Sequence, residues 1–117
     1  MDAVQQPGEL LVVGSINMDL VFQTSQLPSP GETVIGGNFC QINGGKGANQ
    51  AVAAARGSAV PVKLFAAVGG DDYAVSIMES LKRESRLCIE LIQQIADATT
   101  GVAAIMVDDQ GENMICV

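Results

Sequence analysis

Two short apolar runs, each closed by glycine, constrain the fold of this chain more than any other feature. Leu10-Leu11-Val12-Val13 stops at Gly14, and Val62 to Val68 stops at Gly69-Gly70. Runs of this kind suit strands buried on both faces of a parallel sheet. Between them, Ala48-Asn49-Gln50-Ala51-Val52-Ala53-Ala54-Ala55-Arg56 is dominated by the best helix former and ends at Gly57. A helix is expected there, with Gly44, Gly45 and Gly47 at its entrance. Its lack of charge before Arg56 predicts packing on most of its sides. A second helix follows Gly70-Asp71-Asp72, which offers an acid as N-cap. Ala74, Ile77, Met78 and Leu81 then take one helical face, and Glu79, Lys82, Arg83 and Glu84 the other. Strands alternating with helices imply an α/β sandwich around a mainly parallel sheet.

The remaining segments read differently. Pro28-Ser29-Pro30-Gly31 is a turn, because two prolines fix φ and the glycine permits positive φ. Thr33-Val34-Ile35 and Phe39 to Ile42 read as short strands broken by a hairpin turn at Gly36-Gly37-Asn38. Val102 to Val107, the turn Asp108-Asp109-Gln110-Gly111, and Asn113 to Val117 read as another hairpin. These polar, glycine-rich hairpins fit poorly in the core and are expected to form a separate small sheet. Leu87 to Ile95 suits helix and strand equally. Met1 to Gly8 reads as a loose lead-in, and the apolar run Met114 to Val117 stops abruptly.

Composition removes several functions. The 117 residues are 48% hydrophobic and 16% charged, the balance of one packed domain. A net charge of -7 with 3% aromatics and no Trp disfavours phosphate-backbone binding and base stacking, so no nucleic-acid partner is expected. The absence of His removes histidine-ligated metals and Ser-His-Asp triads. No run approaches the roughly 18 apolar residues of a membrane span, and the acidic N-terminus lacks targeting character. Cys40, Cys88 and Cys116 are odd in number and far apart, which suggests small buried hydrophobes in a reducing compartment, the cytoplasm.

Two places carry candidate chemistry. Gly44-Gly45-Lys46-Gly47 fails as a phosphate loop, since Cys40 stands at the first glycine position and Gly47 replaces the metal-holding hydroxyl residue. The dinucleotide pattern fails too, because Gln50 occupies its last glycine. What survives is a helix N-terminus with free N–H groups and a Lys beside them, which attracts oxygen-rich or anionic ligands. A tight turn whose glycines merely permit close packing is the plainer alternative. Asn17 and Asp19 follow the first apolar strand, where ligands sit in open α/β sheets. A carboxylate accepting two hydroxyls, beside an amide that donates and accepts, suits a polyol. An Asx turn explains them equally well.

Taken in order, these motifs resemble the N-terminal part of the ribokinases, in the PfkB group of carbohydrate kinases. They are Gly14-Ser15-Ile16-Asn17-Met18-Asp19, Pro30-Gly31-Glu32-Thr33, Asn43-Gly44-Gly45-Lys46-Gly47-Ala48-Asn49-Gln50-Ala51, Gly70-Asp71-Asp72, Thr99-Thr100-Gly101-Val102-Ala103 and Gly111-Glu112-Asn113. The resemblance runs from Leu10 to Val117. It implies a three-layer α/β sandwich around a mainly parallel sheet with a small β lid, here incomplete. Lid strands are expected at about 33–42 and 102–117, with 1–117 as the N-terminal part of the domain. It also implies transfer of the ATP γ-phosphoryl group to O5 of D-ribose, with Mg2+ and a monovalent cation in the full-length enzyme. Substrate contacts would come from Asn17, Met18, Asp19, Gly45, Lys46, Gly47, Ala48 and Asn49, with Asp19 binding sugar hydroxyls. The glycine loop would then hold the acceptor sugar instead of a nucleotide. A homodimer formed through the lid is implied for the parent.

The departures from the family pattern are as informative. Its metal-associated acidic segment, ATP pocket and late catalytic Asp have no counterpart in these residues, so the chain alone is expected to be inactive and to bind none of those cofactors. Asp71 and Asp72 at a helix start are explained as caps. Leu87-Cys88-Ile89-Glu90 and Val75 stand where the family commonly has glycine. A related pentose or deoxyribose kinase, or a non-catalytic truncated relative acting as a dimerisation or interaction module, is the alternative reading.

Overall fold

The computed structural model describes residues 8–117, so the expected lead-in falls, save Gly8, outside the described residues. In chain order the elements are β1 (Leu10–Val13), β2 (Asn17–Thr24), β3 (Gly37–Gly44), α1 (Lys46–Gly57), β4 (Val62–Gly69), α2 (Asp72–Lys82), β5 (Leu87–Cys88), β6 (Ile92–Ile95), β7 (Gly101–Val107) and β8 (Asn113–Cys116). They build two sheets, one wholly parallel and one mixed.

In the parallel sheet β4 is central. β1 pairs along one side, from Leu10↔Val62 to Val13↔Phe65. β5 and then β6 pair along the other, at Val62↔Leu87 and from Ala66↔Ile92 onward. The segment that suited helix and strand equally is therefore two short strands, stabilised by the free edge of β4. The turn before β5 puts Arg86 at φ 66°, a conformation that favours glycine, while its carbonyl accepts the Val62 N–H at 2.7 Å.

Side chains alternate across β4, and this alternation sets the core. Val62, Leu64, Ala66 and Val68 face the helices and pack with Ala48, Ala51 and Ala55 of α1 and Ala74, Ile77 and Leu81 of α2. Each large apolar side chain buried there contributes about 1.5–3 kcal/mol. Lys63, Phe65 and Ala67 point the opposite way. On that face Leu11 is 61% exposed, Val13 67% and Phe65 45%. The expectation that β1 is buried on both faces is thus corrected: no layer among the described residues covers this face. α1 is likewise packed along one stripe and not on most sides, with Asn49, Gln50, Ala53 and Arg56 exposed.

The mixed sheet has the order β3-β2-β7-β8. β2 pairs antiparallel with β3 and parallel with β7, and β7 forms the expected hairpin with β8. Asp108 organises that turn, its Oδ1 accepting the Gln110 and Glu112 N–H groups, with Gly111 at φ 81°. Two expectations about this sheet are corrected. Thr33-Val34-Ile35 lies in no strand, and Gly36-Gly37-Asn38 is no hairpin turn. β2 is itself a strand of this sheet, and β3 pairs along all eight of its residues, so β3 begins at Gly37, opposite Thr24. A Cβ on Gly37 would collide with the Gln23 carbonyl, so this glycine serves close strand approach. Cys40 and Cys116 lie exposed on this sheet, against the expectation of buried cysteines; Cys88 is half-buried, and all three are free thiols. Edge and face positions left open to solvent account for the difference.

Candidate functional site

β2 leaves the core at its first residues. Ile16 and Met18 are buried in the core cluster. Because neighbours on a strand face opposite sides, Asn17 and Asp19 share the other face of the mixed sheet, both half-buried. Asn17 lies between Gly44 and Gly101, and Asp19 between Ile42 and Ala103. A Cβ on Gly101 would sit 2.5 Å from Asn17 Oδ1. A Cβ on Gly44 would sit within 2.7 Å of all three carboxylate atoms of Asp19. Both polar side chains therefore rest on bare glycine backbone, which no other residue type would leave open.

The entrance of α1 packs beside this pair. Gly45, at φ 98°, would bring a Cβ to 2.7 Å from Ile16 Cα and 2.8 Å from Asn17 N. A Cβ on Gly47 would lie 2.7 Å from Gly14 Cα and 2.8 Å from Ser15 N. The first turn of α1 thus sits directly on the 14–17 backbone, where the Ala48 N–H donates to the Ser15 carbonyl at 3.1 Å. Gly45 caps the helix without a side-chain acceptor, and no acid stands in the first turn. The positive end of the helix, with exposed Lys46 upon it, is therefore unneutralised by a carboxylate of its own.

These residues separate into three groups. Asn17, Asp19 and Gly45 are brought together, with Lys46 at their margin. Met18 and Ala48 send their side chains into the core and Gly47 is buried, so any ligand contact there involves backbone. Asn49, at the first turn of α1, lines a groove of about 370 Å³ between α1 and α2, together with Asn43, Ser80 and the Arg56–Glu84 ion pair. Gly44 reads in sequence only as part of the glycine loop and Gly101 only as part of a family motif, neither as a substrate contact, yet they form the floor beneath the polar pair. Their signal lay in the register of strands distant in sequence.

A second polar cluster stands where α2 begins. Asp71 caps α2 as its position predicts, its Oδ1 accepting the Ala74 N–H at 2.9 Å. The same carboxylate accepts the Thr100 N–H and the Thr100 hydroxyl, each at 2.7 Å. Those bonds, the Thr100 N–H first, hold the Asp71 carboxyl below the usual aspartate range. Among the described residues no group of three or more Cys, Asp or Glu side chains converges as a metal site. No helix among them is long and apolar enough to cross a membrane.

Comparison with known proteins identifies the family and the fold. The model of the pfkB family carbohydrate kinases matches residues 8–117. The chain is 43% identical over 106 residues to the ribokinase of Lactococcus lactis, covering 91% of this chain and 35% of that protein. It is 41% identical to the ribokinase of Mus musculus (97% and 34% covered) and 34% identical to a deoxyribokinase of Salmonella typhi (93% and 35%). Among solved structures, the ribokinase of Giardia lamblia superposes with a TM-score of 0.82 at 35% identity, over 95% of this chain and 33% of that one. The Arabidopsis thaliana ribokinase complexed with ribose and ATP gives 0.78 at 30% identity, over 96% and 36%. The chain spans about a third of the length of these relatives. With the incomplete ribokinase-like α/β fold and an ordered set of motifs matched from end to end of the described residues, the chain belongs to the pfkB family of carbohydrate kinases.

Proposed function

We propose that this chain supplies the sugar-binding and lid portion of a ribokinase, which phosphorylates D-ribose at O5 with ATP. The observation that carries the reading is the placing of Asn17 and Asp19 side by side over Gly44 and Gly101, against the uncapped entrance of α1 with Lys46. A carboxylate and an amide on one face can take adjacent hydroxyls of a pentose. The helix end and Lys46 favour an oxygen-rich ligand over an apolar one. Gly45, Gly47 and Ala48 would shape the site with backbone, Met18 would anchor it from the core, and Asn49 would extend it along α1. The mixed sheet then acts as the lid whose closure excludes water from the phosphoryl donor.

ATP, Mg2+ and a monovalent cation belong to the proposed whole enzyme. Among the described residues no group of three or more Cys, Asp or Glu side chains converges. Phosphoryl transfer depends on a positioned nucleotide and on charge stabilisation, so the 117-residue chain by itself is proposed to be inactive toward ribose. The exposed apolar residues of the lid, Phe22, Phe39, Ile42, Met114 and Ile115 among them, favour a homodimer through this sheet. The same exposure favours, as the second reading, a non-catalytic dimerisation module. The proposed setting is the cytoplasm.

Calorimetric titration tests the reading. The chain should bind D-ribose, and 2-deoxyribose more weakly if a buried partner of the 2-hydroxyl is left unpaired. Asp19→Ala should weaken ribose binding at least about tenfold, the scale of a lost charge-assisted hydrogen bond. Unchanged affinity in that variant would sink the site assignment.

A further inference from the structure

Thr100 is the one buried polar side chain among the described residues, at 3% exposure, and it sits immediately before the first residue of β7. Its hydroxyl donates to Asp71 Oδ1 at 2.7 Å and accepts the Gly69 N–H at 2.9 Å. Its N–H donates to Asp71 Oδ2 at 2.7 Å. Alongside, the Gly70 N–H donates to the Ala98 carbonyl at 3.0 Å. A Cβ on Gly69 would collide with Ala98 O and Thr100 N, and one on Gly70 would lie 2.6 Å from Ala96 O. The segment entering β7 is thus clasped onto the end of β4 and the start of α2. The next residue is Gly101, the register partner of Asn17, whose Oδ1 lies where a Cβ on Gly101 would collide with it.

The geometry points to Asp71 and Thr100 as positioning residues for the sugar site: their clasp fixes the height of Gly101 beneath Asn17 and so aims the Asn17 amide at the ligand. This rests on Asn17 and Asp19 being the sugar-binding pair. The mechanism is short and rigid. Thr100 has its N–H and its hydroxyl paired, so it cannot shift without leaving a buried donor or acceptor unmet. Gly101 follows Thr100 directly, and Asn17 contacts Gly101 with no intervening side chain. Asp71 also caps α2 through the Ala74 N–H, so the lid strand and the body share a single carboxylate. A cap alone needs only that last bond; the two bonds to Thr100 serve the lid side.

Hydrogen–deuterium exchange read by mass spectrometry on the 117-residue chain tests the inference, with peptides over residues 14–24 and 99–107 and with residues 62–67 of β4, clear of the Gly69 N–H that Thr100 pairs, as internal reference. Thr100→Val removes the hydroxyl and keeps the branching. It should speed exchange at 14–24, at 99–107 and at the Gly69 N–H it unpairs about tenfold, the scale of one buried group left unpaired, and leave residues 62–67 unchanged. Thr100→Ser should restore native exchange. Asp71→Asn provides a milder second variant. It keeps a cap acceptor for Ala74 but presents an amide donor to the Thr100 N–H, so it should move the same peptides. D-Ribose should protect residues 14–24 in the native chain. Half-protection should need about tenfold more ribose in Thr100→Val and the native amount in Thr100→Ser. A uniform rise that includes residues 62–67, or native ribose midpoints in Thr100→Val, overturns the positioning role and leaves the sugar site standing. If ribose gives the native chain no protection at residues 14–24, the sugar-site reading itself fails and the positioning role goes with it.

Discussion

Replacing Gly44 by alanine should separate ligand binding from folding in this chain. The added methyl would stand within 2.7 Å of the Asp19 carboxylate atoms, whereas ordinary contact begins near 3.4 Å. Asp19 must therefore swing aside by about 1 Å, since its side chain can rotate and the strand cannot. A sugar hydroxyl bonded at a normal oxygen–oxygen distance would then fall outside hydrogen-bond range. One charge-assisted bond is worth about 1.5–3 kcal/mol, so ribose affinity should drop about 10- to 100-fold. Folding should hardly notice. Gly44 is not among the positive-φ glycines, and alanine is favoured over glycine within a strand by about 0.5–1 kcal/mol, which offsets the cost of turning Asp19. The assay pairs calorimetry with urea denaturation, and repeats both in an Asp19→Ala background. There Gly44→Ala should weaken binding no further, because its target is gone. Native affinity in Gly44→Ala, or an equal loss with and without Asp19, would refute the reasoning.

Three more outcomes follow from the same contacts. Gly47→Ala forces a methyl against Gly14 and Ser15 backbone, which cannot rotate away. Overpacking of about 1–3 kcal/mol, less about 1 kcal/mol of helix propensity, leaves a net loss of up to about 2 kcal/mol, and a urea midpoint above native would contradict it. Asp71 has a folded pKa below its ordinary 3.8, so its contribution to stability is present above that value and fades as pH falls through the lowered one. Denaturation midpoints followed from pH 5 downward should fall less steeply in Asp71→Asn, and an equally steep decline would dismiss that linkage. Finally, the open face of the parallel sheet should drive association of the chain. Leu11→Ser with Phe65→Ser should lower the mass found by light scattering without disturbing the core, since both side chains point away from it; an unchanged mass would count against that face.

Much of the architecture was legible along the chain. Leu10–Val13 and Val62–Gly69 are strands because they are short apolar runs bounded by glycine, and Ala48 to Ala55 is helical because alanine dominates it. Asp71 caps α2, and Asp108 with Gly111 turns the last hairpin. All of these depend on residues a few positions apart, whose preferences survive in any fold. Asn17 and Asp19 were legible as polar residues just past the first apolar strand, but not as neighbours on one face of a second strand.

What sequence could not supply is which strand lies beside which. Nothing local states that β2 pairs with β3 on one side and with β7, over eighty residues later, on the other, and that pairing makes Gly44 and Gly101 the floor of the site. The parallel edge of β4 turned the ambiguous stretch after Arg86 into two strands. The bond from Asp71 to Thr100 crosses 29 positions. Composition and short-range pattern alone therefore determined β1, β4, the two helices, the last hairpin and the polar candidates Asn17, Asp19 and Lys46. Tertiary structure alone decided register, the close approach of glycine backbones and the face left uncovered, because each depends on groups that meet only when the chain has folded.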